Sequence, residues 1–174
     1  ILAAREPVWA FGPSAALLSK MPLPFVVPER VSLGRVSGAD ERALRQPSRH
    51  RLALPDAHVT TGPIDPSATI LLRGVPTVPP ALAALSTAVT LTSSRWQTAQ
   101  LDAALWRGAT AEQIVSLIEE WRHLGHRTEV LEALRRARHG AQTVLETFSR
   151  LRFIEGGLPE PILQHPFYDE EGLI

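Results

Sequence analysis

The sequence has no cysteine, and it holds a single lysine, methionine and tyrosine among 174 residues. Without cysteine there is neither a disulfide framework nor a thiolate metal site, and a reducing cytoplasm is the compartment expected. No stretch approaches the ~18 uninterrupted apolar residues of a membrane helix, so no membrane partner is expected. The opening residues lack the basic and then apolar layout of a secretory signal. The phosphate-cradling patterns GxGxxG and GxxxxGK[ST] are absent, as are the GxSxG elbow and the HExxH metal helix. Those absences exclude the commonest signatures of nucleotide binding, serine hydrolysis and zinc proteolysis.

What is present is an ordinary globular balance of 44% apolar and 21% charged residues, enough to build one good core or two small ones. The net charge is zero but unevenly placed: residues 1–52 carry eight basic and four acidic side chains, and residues 155–174 carry five acidic ones and no Lys or Arg. Seventeen of the eighteen basic residues are arginine. That bias fits GC-rich coding, and it leaves guanidinium groups able to bind phosphate bidentately where they cluster.

Along the chain, Pro13 to Lys20 reads as a short helix stopped by Met21-Pro22-Leu23-Pro24. Short β-rich runs follow at Val31–Arg35, Arg51–Leu54, His58–Thr61 and Thr69–Leu72, separated by prolines that keep strands short and edge-like. From residue 79 the pattern turns helical. Pro79-Pro80 suits a first turn before Ala81–Val89. Ser94 with Gln97, and Thr110 with Gln113, have capping-box spacing. Thr128 is placed to cap a further helix, and a last one runs from about Ala141 to Glu155, with Val144, Leu145, Phe148, Leu151 and Ile154 expected to face inward. Asp169-Glu170-Glu171-Gly172 reads as a hairpin turn. The chain opens on Ile1-Leu2 and closes on Leu173-Ile174 as if on a returning strand, so it is expected to be the interior of a longer protein.

Candidate chemistry is sparse. His123 and His126 lie three apart without accompanying ligands, and a polar helix end explains them better than a metal. The stretch RALRQPSRHR places Arg42, Arg45, Arg49 and Arg51 within ten residues. Arg49 and Arg51 alternate as a strand would require for a one-sided phosphate stripe, although a solvated edge-strand face is the plainer explanation in a chain of zero net charge. No aromatic residue interleaves with them, so base stacking is not indicated there. Glu146 and Arg150 are four apart and within reach across one helical turn. Trp106 and Trp121 would suit partner anchors if exposed.

Three stretches together resemble a family of bacterial proteins that join a region similar to AbiEi-type abortive-infection antitoxins to a domain similar to very-short-patch-repair endonucleases. They are GPSAALLSKMPLP (Gly12 to Pro24), GVPTVPPALAAL with LDAALWRG (Gly74 to Gly108), and LETFSRLRFIEGGLPEPILQHPFYDEEG (Leu145 to Gly172). The helix after the Pro-Ala pair departs from the family, with Leu82 and Ser86 where it usually has Arg and Asp. The resemblance implies that Glu146 is the first acidic residue of a PD-(D/E)xK-type site, with Arg150 beside it. The other acidic groups and the lysine would fall beyond Ile174, so no metal site is complete in this chain. A Mg²⁺ ion, which needs carboxylates from separate elements, would belong to the complete parent, and no cofactor is expected here.

The expectation is therefore an α+β chain. A small irregular antiparallel sheet (residues 1–78) precedes a cluster of about four to five helices (residues 79–140), and residues 141–174 begin an α/β nuclease-like domain. DNA is the expected partner through Arg42, Arg45, Arg49 and Arg51. Glu146 and Arg150 would be an incomplete, inactive catalytic site. The alternative is a non-catalytic protein–protein module such as an antitoxin or scaffold.

Overall fold

Short strands and a two-residue turn shape the first half of the computed structural model, which describes residues 8–24, 30–36, 57–121, 123–169 and 172–173. Strands β1 (Trp9–Ala10), β2 (Val31–Val36), β3 (Ala57–Gly62), β4 (Ile70–Leu72) and β5 (Val75–Thr77) form one sheet in the order β3-β2-β1-β5-β4. The chain is α+β as expected, but the sheet is mixed rather than antiparallel. β1 runs antiparallel to β2 and parallel to β5, while β2 and β3 run parallel. Connection length accounts for the difference. β4 and β5 are joined by Arg73-Gly74, both at positive φ (52° and 78°), the geometry of a tight antiparallel hairpin. β2 and β3 are separated by residues 37–56, long enough for a parallel crossover. The expected strand at Arg51–Leu54 lies outside the described residues, as do Arg42, Arg45, Arg49 and Arg51.

Phe11 ties the sheet to the helices. It is buried, with its ring edge-on to Trp121 (centroids 5.6 Å apart), and it lies flat over Gly34 of β2 and Gly62 of β3. A Cβ at Gly34 would come within 2.6 Å of the Phe11 ring, so hydrogen is the only side chain that fits this approach.

Among the described residues six helices follow the expected order: α1 (Gly12–Leu18), α2 (Pro80–Ala88), α3 (Ser94–Trp106), α4 (Ala111–Glu120), α5 (Arg127–Arg136) and α6 (Val144–Glu155). Every residue of α2 after Pro80 is buried, as expected of a helix apolar on all sides, and it forms the centre against α1, α3 and α4. Alanines at 15, 16, 83, 84, 88 and 104 let these helices approach closely. Ser86 of α2 accepts a hydrogen bond from the Gly12 amide at 3.0 Å and so joins α2 to the start of α1.

Capping was partly as expected. Thr110 and Gln113 form a complete capping box on α4. Ser94 and Gln97 do not: Ser93 is the N-cap, and the Gln97 amide donates instead to the carbonyls of Ala88 (3.3 Å) at the end of α2 and Leu91 (2.9 Å) in the α2–α3 turn. Helix α5 starts after His126, which adopts a left-handed conformation (φ 52°), and not at Thr128. Beyond α6, Gly156-Gly157 break the helix and an extended run leads to the expected hairpin, β6 (Tyr168–Asp169) against β7 (Gly172–Leu173). Among the described residues no helix is long and apolar enough to cross a membrane.

Candidate functional site

Helix α6 turns Leu151 inward and leaves Val144 and Phe148 partly covered, as its apolar spacing suggests, but it does not bury Leu145 or Ile154. Its buried residues are Thr147, Arg150 and Leu151, while Leu145 is 76% exposed and Ile154 is also exposed. Phe148 stays partly covered, edge-on to Trp96 of α3 (5.2 Å). The cause is Asp102, a carboxylate buried in the middle of α3. One of its oxygens accepts from the Thr147 hydroxyl at 2.7 Å and from Arg150 Nη2 at 3.1 Å; the other accepts from the Arg138 backbone amide at 2.6 Å. A buried carboxylate must find donors or forfeit its solvation, and α6 supplies them.

Arg150 is itself 1% exposed and bridges from Asp102 to Glu160, at 3.1 Å on each side. The Arg138 guanidinium closes the cluster on Glu160 at 2.9 Å. Burial pushes the Asp102 carboxyl above its ordinary value, against the lowering effect of Thr147, the Arg138 amide and Arg150. Glu160 shows the opposite result: its partial burial raises the carboxyl, but the hydrogen bond and charge of Arg138, with Arg150 behind it, hold it below the usual carboxylate value. Arg150 Nε alone is left without a partner.

Glu146 and Arg150 are therefore not paired with one another. Glu146 serves the start of α6: its Oε2 accepts from the amides of Gln142 (2.9 Å) and Thr143 (2.7 Å) and from the Thr143 hydroxyl, and its Oε1 accepts from Gln164 (2.5 Å). The Thr143 hydroxyl in turn accepts from the Glu146 amide, completing a capping box. These residues do not fit a Mg²⁺ site, since both Glu146 oxygens are already engaged, and among the described residues no group of three His, Asp or Glu side chains converges. Glu146→Ala is expected to lower stability by about 1 kcal/mol as a lost cap, read as a shifted urea midpoint. Mg²⁺ is expected to leave that midpoint unmoved in the wild type; a Mg²⁺-dependent rise that disappears in Glu146→Ala would show that the carboxylate does bind metal.

His126 also has a structural duty, at the left-handed entry to α5 with Nδ1 3.6 Å from Glu129. The arginines at 135 and 136 lie along Glu132 on the exposed face of α5. Reading by local spacing did not single out Asp102, Thr147, Glu160 or Arg138, the residues that surround Arg150. The one available signal was an aspartate inside the apolar face of Leu-Asp-Ala-Ala-Leu. The cluster joins α3, α6 and the 158–161 segment. No family model, curated protein or solved structure matches the chain.

Proposed function

We propose that the chain is a non-catalytic, DNA-associated part of a bacterial protein of the AbiEi-like and very-short-patch-repair-endonuclease-like kind. The observation that supports this reading most is the order of parts from residue 143 onward. A capped helix carries Glu146 and Arg150, a Gly-Leu-Pro break follows, and an extended run leads into an Asp-to-Gly hairpin, in the sequence the resemblance implies. Both would-be catalytic side chains are engaged structurally, so the role left to this chain is to bind and position. Nitrocellulose filter binding of duplex DNA at low salt is expected to show weak, salt-sensitive retention, on the order of 10⁻⁴ to 10⁻⁶ M near physiological salt. No Mg²⁺-dependent cleavage is expected. Absence of retention at low salt removes the DNA role, and cleavage removes the non-catalytic one.

A second reading, a protein–protein module, is favoured by one feature. Large apolar side chains stand open to solvent along the C-terminal segment, among them Leu158, Ile162, Phe167 and Tyr168, the last 71% exposed. Loss of DNA retention together with concentration-dependent self-association would favour this reading over the first.

A further inference from the structure

Lys20 after α1, and Trp106 and Arg107 at the C-terminal end of α3, take no part in the capping of α6 or in the Asp102 cluster. Ala99, Asp102, Ala103 and Trp106 follow at helical spacing along one face, and the first three line a polar cleft of about 170 Å³ between the end of α1 and the start of α6. Two cations stand on this cleft, Lys20 and Arg107. Neither makes an ion pair among the described residues, whereas Arg95, Arg135, Arg136, Arg138 and Arg150 all have carboxylate partners.

Arg107 is fixed in place by donating to the carbonyls of Ser19 (2.8 Å), Lys20 (2.5 Å) and Ala103 (3.1 Å), which close the ends of α1 and α3. Those bonds use three of its five N–H groups and leave two over. Asp102 at the floor of the cleft does not cancel this positive charge, because its own charge is already met by Arg150 and two further donors. At the same end of α3 stands Trp106, the one tryptophan among the large exposed apolar side chains (42% exposed), tilted against the His139 ring at 5.8 Å. Trp106 directly precedes Arg107 in the chain and lies one helical turn beyond Ala103 of the cleft; cations near an exposed aromatic suit a single strand, with phosphate on the charge and base on the ring.

Resting on the DNA-associated reading above, we propose that this cleft and Trp106 form a binding site for a nucleotide unit of single-stranded nucleic acid, its phosphate on Lys20 and Arg107 and its base stacked on the indole. The site reads no sequence by itself, because every base offers a π-face.

The test uses the full chain with a short oligo-thymidylate. Trp106 is the most exposed of the four indoles, so the strand is expected to quench tryptophan emission, and inorganic phosphate at the same ionic strength is expected not to. Trp106→Ala should weaken binding of a labelled strand by roughly 5- to 150-fold, with Trp106→Phe retaining most of it. Lys20 sits at φ 54°, so Lys20→Gly removes the ammonium while suiting the backbone. It should reduce the slope of log affinity against log salt by about 0.7. Fold integrity of each variant is checked by its urea midpoint, which should hold or rise for Lys20→Gly. Three results overturn the site: quenching by phosphate alone, strand binding unchanged in both Trp106→Ala and Lys20→Gly, or duplex retention on filters with no single-strand binding. The last two leave the DNA role standing on other arginines; failure of both duplex and strand to bind removes the site and the DNA role together.

Discussion

Asp102→Ala is expected to cost about 3 kcal/mol of stability, a large share of the roughly 5–15 kcal/mol that holds a domain of this kind. The substitution leaves the Arg150 guanidinium buried with Glu160 as its remaining carboxylate, and it removes the acceptor of the Thr147 hydroxyl and the Arg138 amide. Breaking one side of a buried pair typically costs about 3–5 kcal/mol; Glu160, which is more exposed, keeps this case at the low end. Urea denaturation measures the loss. The companion variant, Asp102→Leu with Arg150→Met, removes both charges at similar volume and is expected to recover most of it. If the double variant is as unstable as the single one, the cluster holds α6 by specific geometry, and charge burial is not the dominant cost.

The same pair carries a pH signature. Burial places the Asp102 carboxyl above its ordinary 3.8 in the folded chain, so the folded state binds a proton more readily than the unfolded one. The stabilisation this provides is complete below the unfolded value and is lost as pH rises through the folded one. Glu160, held low, works the other way: its contribution is present above about 4.5 and fades as pH falls. Asp102→Asn deletes the first effect and keeps the second. Wild-type stability measured relative to Asp102→Asn should therefore increase as the solution is acidified toward 3.8. A constant difference, or one of opposite slope, shows that Arg150 and the other donors outweigh burial.

Features set by neighbours in sequence were legible before any coordinates. The capping box at Thr110 and Gln113 and the Asp-to-Gly hairpin each need only four consecutive residues, and both form. The box at Ser94 and Gln97 has the same spacing and does not form, because carbonyls in the preceding turn compete for the Gln97 amide. The inward face of α6 is only partly legible in its sequence for a related reason: Leu151 is buried as its spacing implies, and two other apolar residues are not. Its apolar spacing proposed Leu145 and Ile154, but a carboxylate 48 positions before Arg150 sets the rotation of the helix, and no window of local sequence contains both. Strands β1 and β5, two and three residues long, are shorter than any period can register. The arginines at 42, 45, 49 and 51 remain an expectation from sequence, since they lie outside the described residues.

The other large effect is expected at Phe11, where a single residue determines how the sheet meets the helices. Phe11→Ala should cost about 3–5 kcal/mol, since a fully buried ring is removed from between Trp121 and two glycines that cannot move in to fill its place. Phe11→Leu, which keeps part of the volume, is the variant to use if the alanine chain does not fold. The glycines give an independent check. In the wild type, a Cβ at Gly34 would lie 2.6 Å from both Phe11 Cδ2 and Ile64 Cδ1, so Gly34→Ala should destabilise by about 1–3 kcal/mol through overpacking. With Phe11 shortened, half of that collision disappears and the added methyl begins to fill the cavity. The two substitutions should then be strongly non-additive, the double variant being more stable than the sum of single losses by about 1 kcal/mol or more. Simple additivity in a double-mutant cycle of urea midpoints would mean that the ring and the glycine do not share the space assigned to them, and that the sheet meets the helices by some other contact.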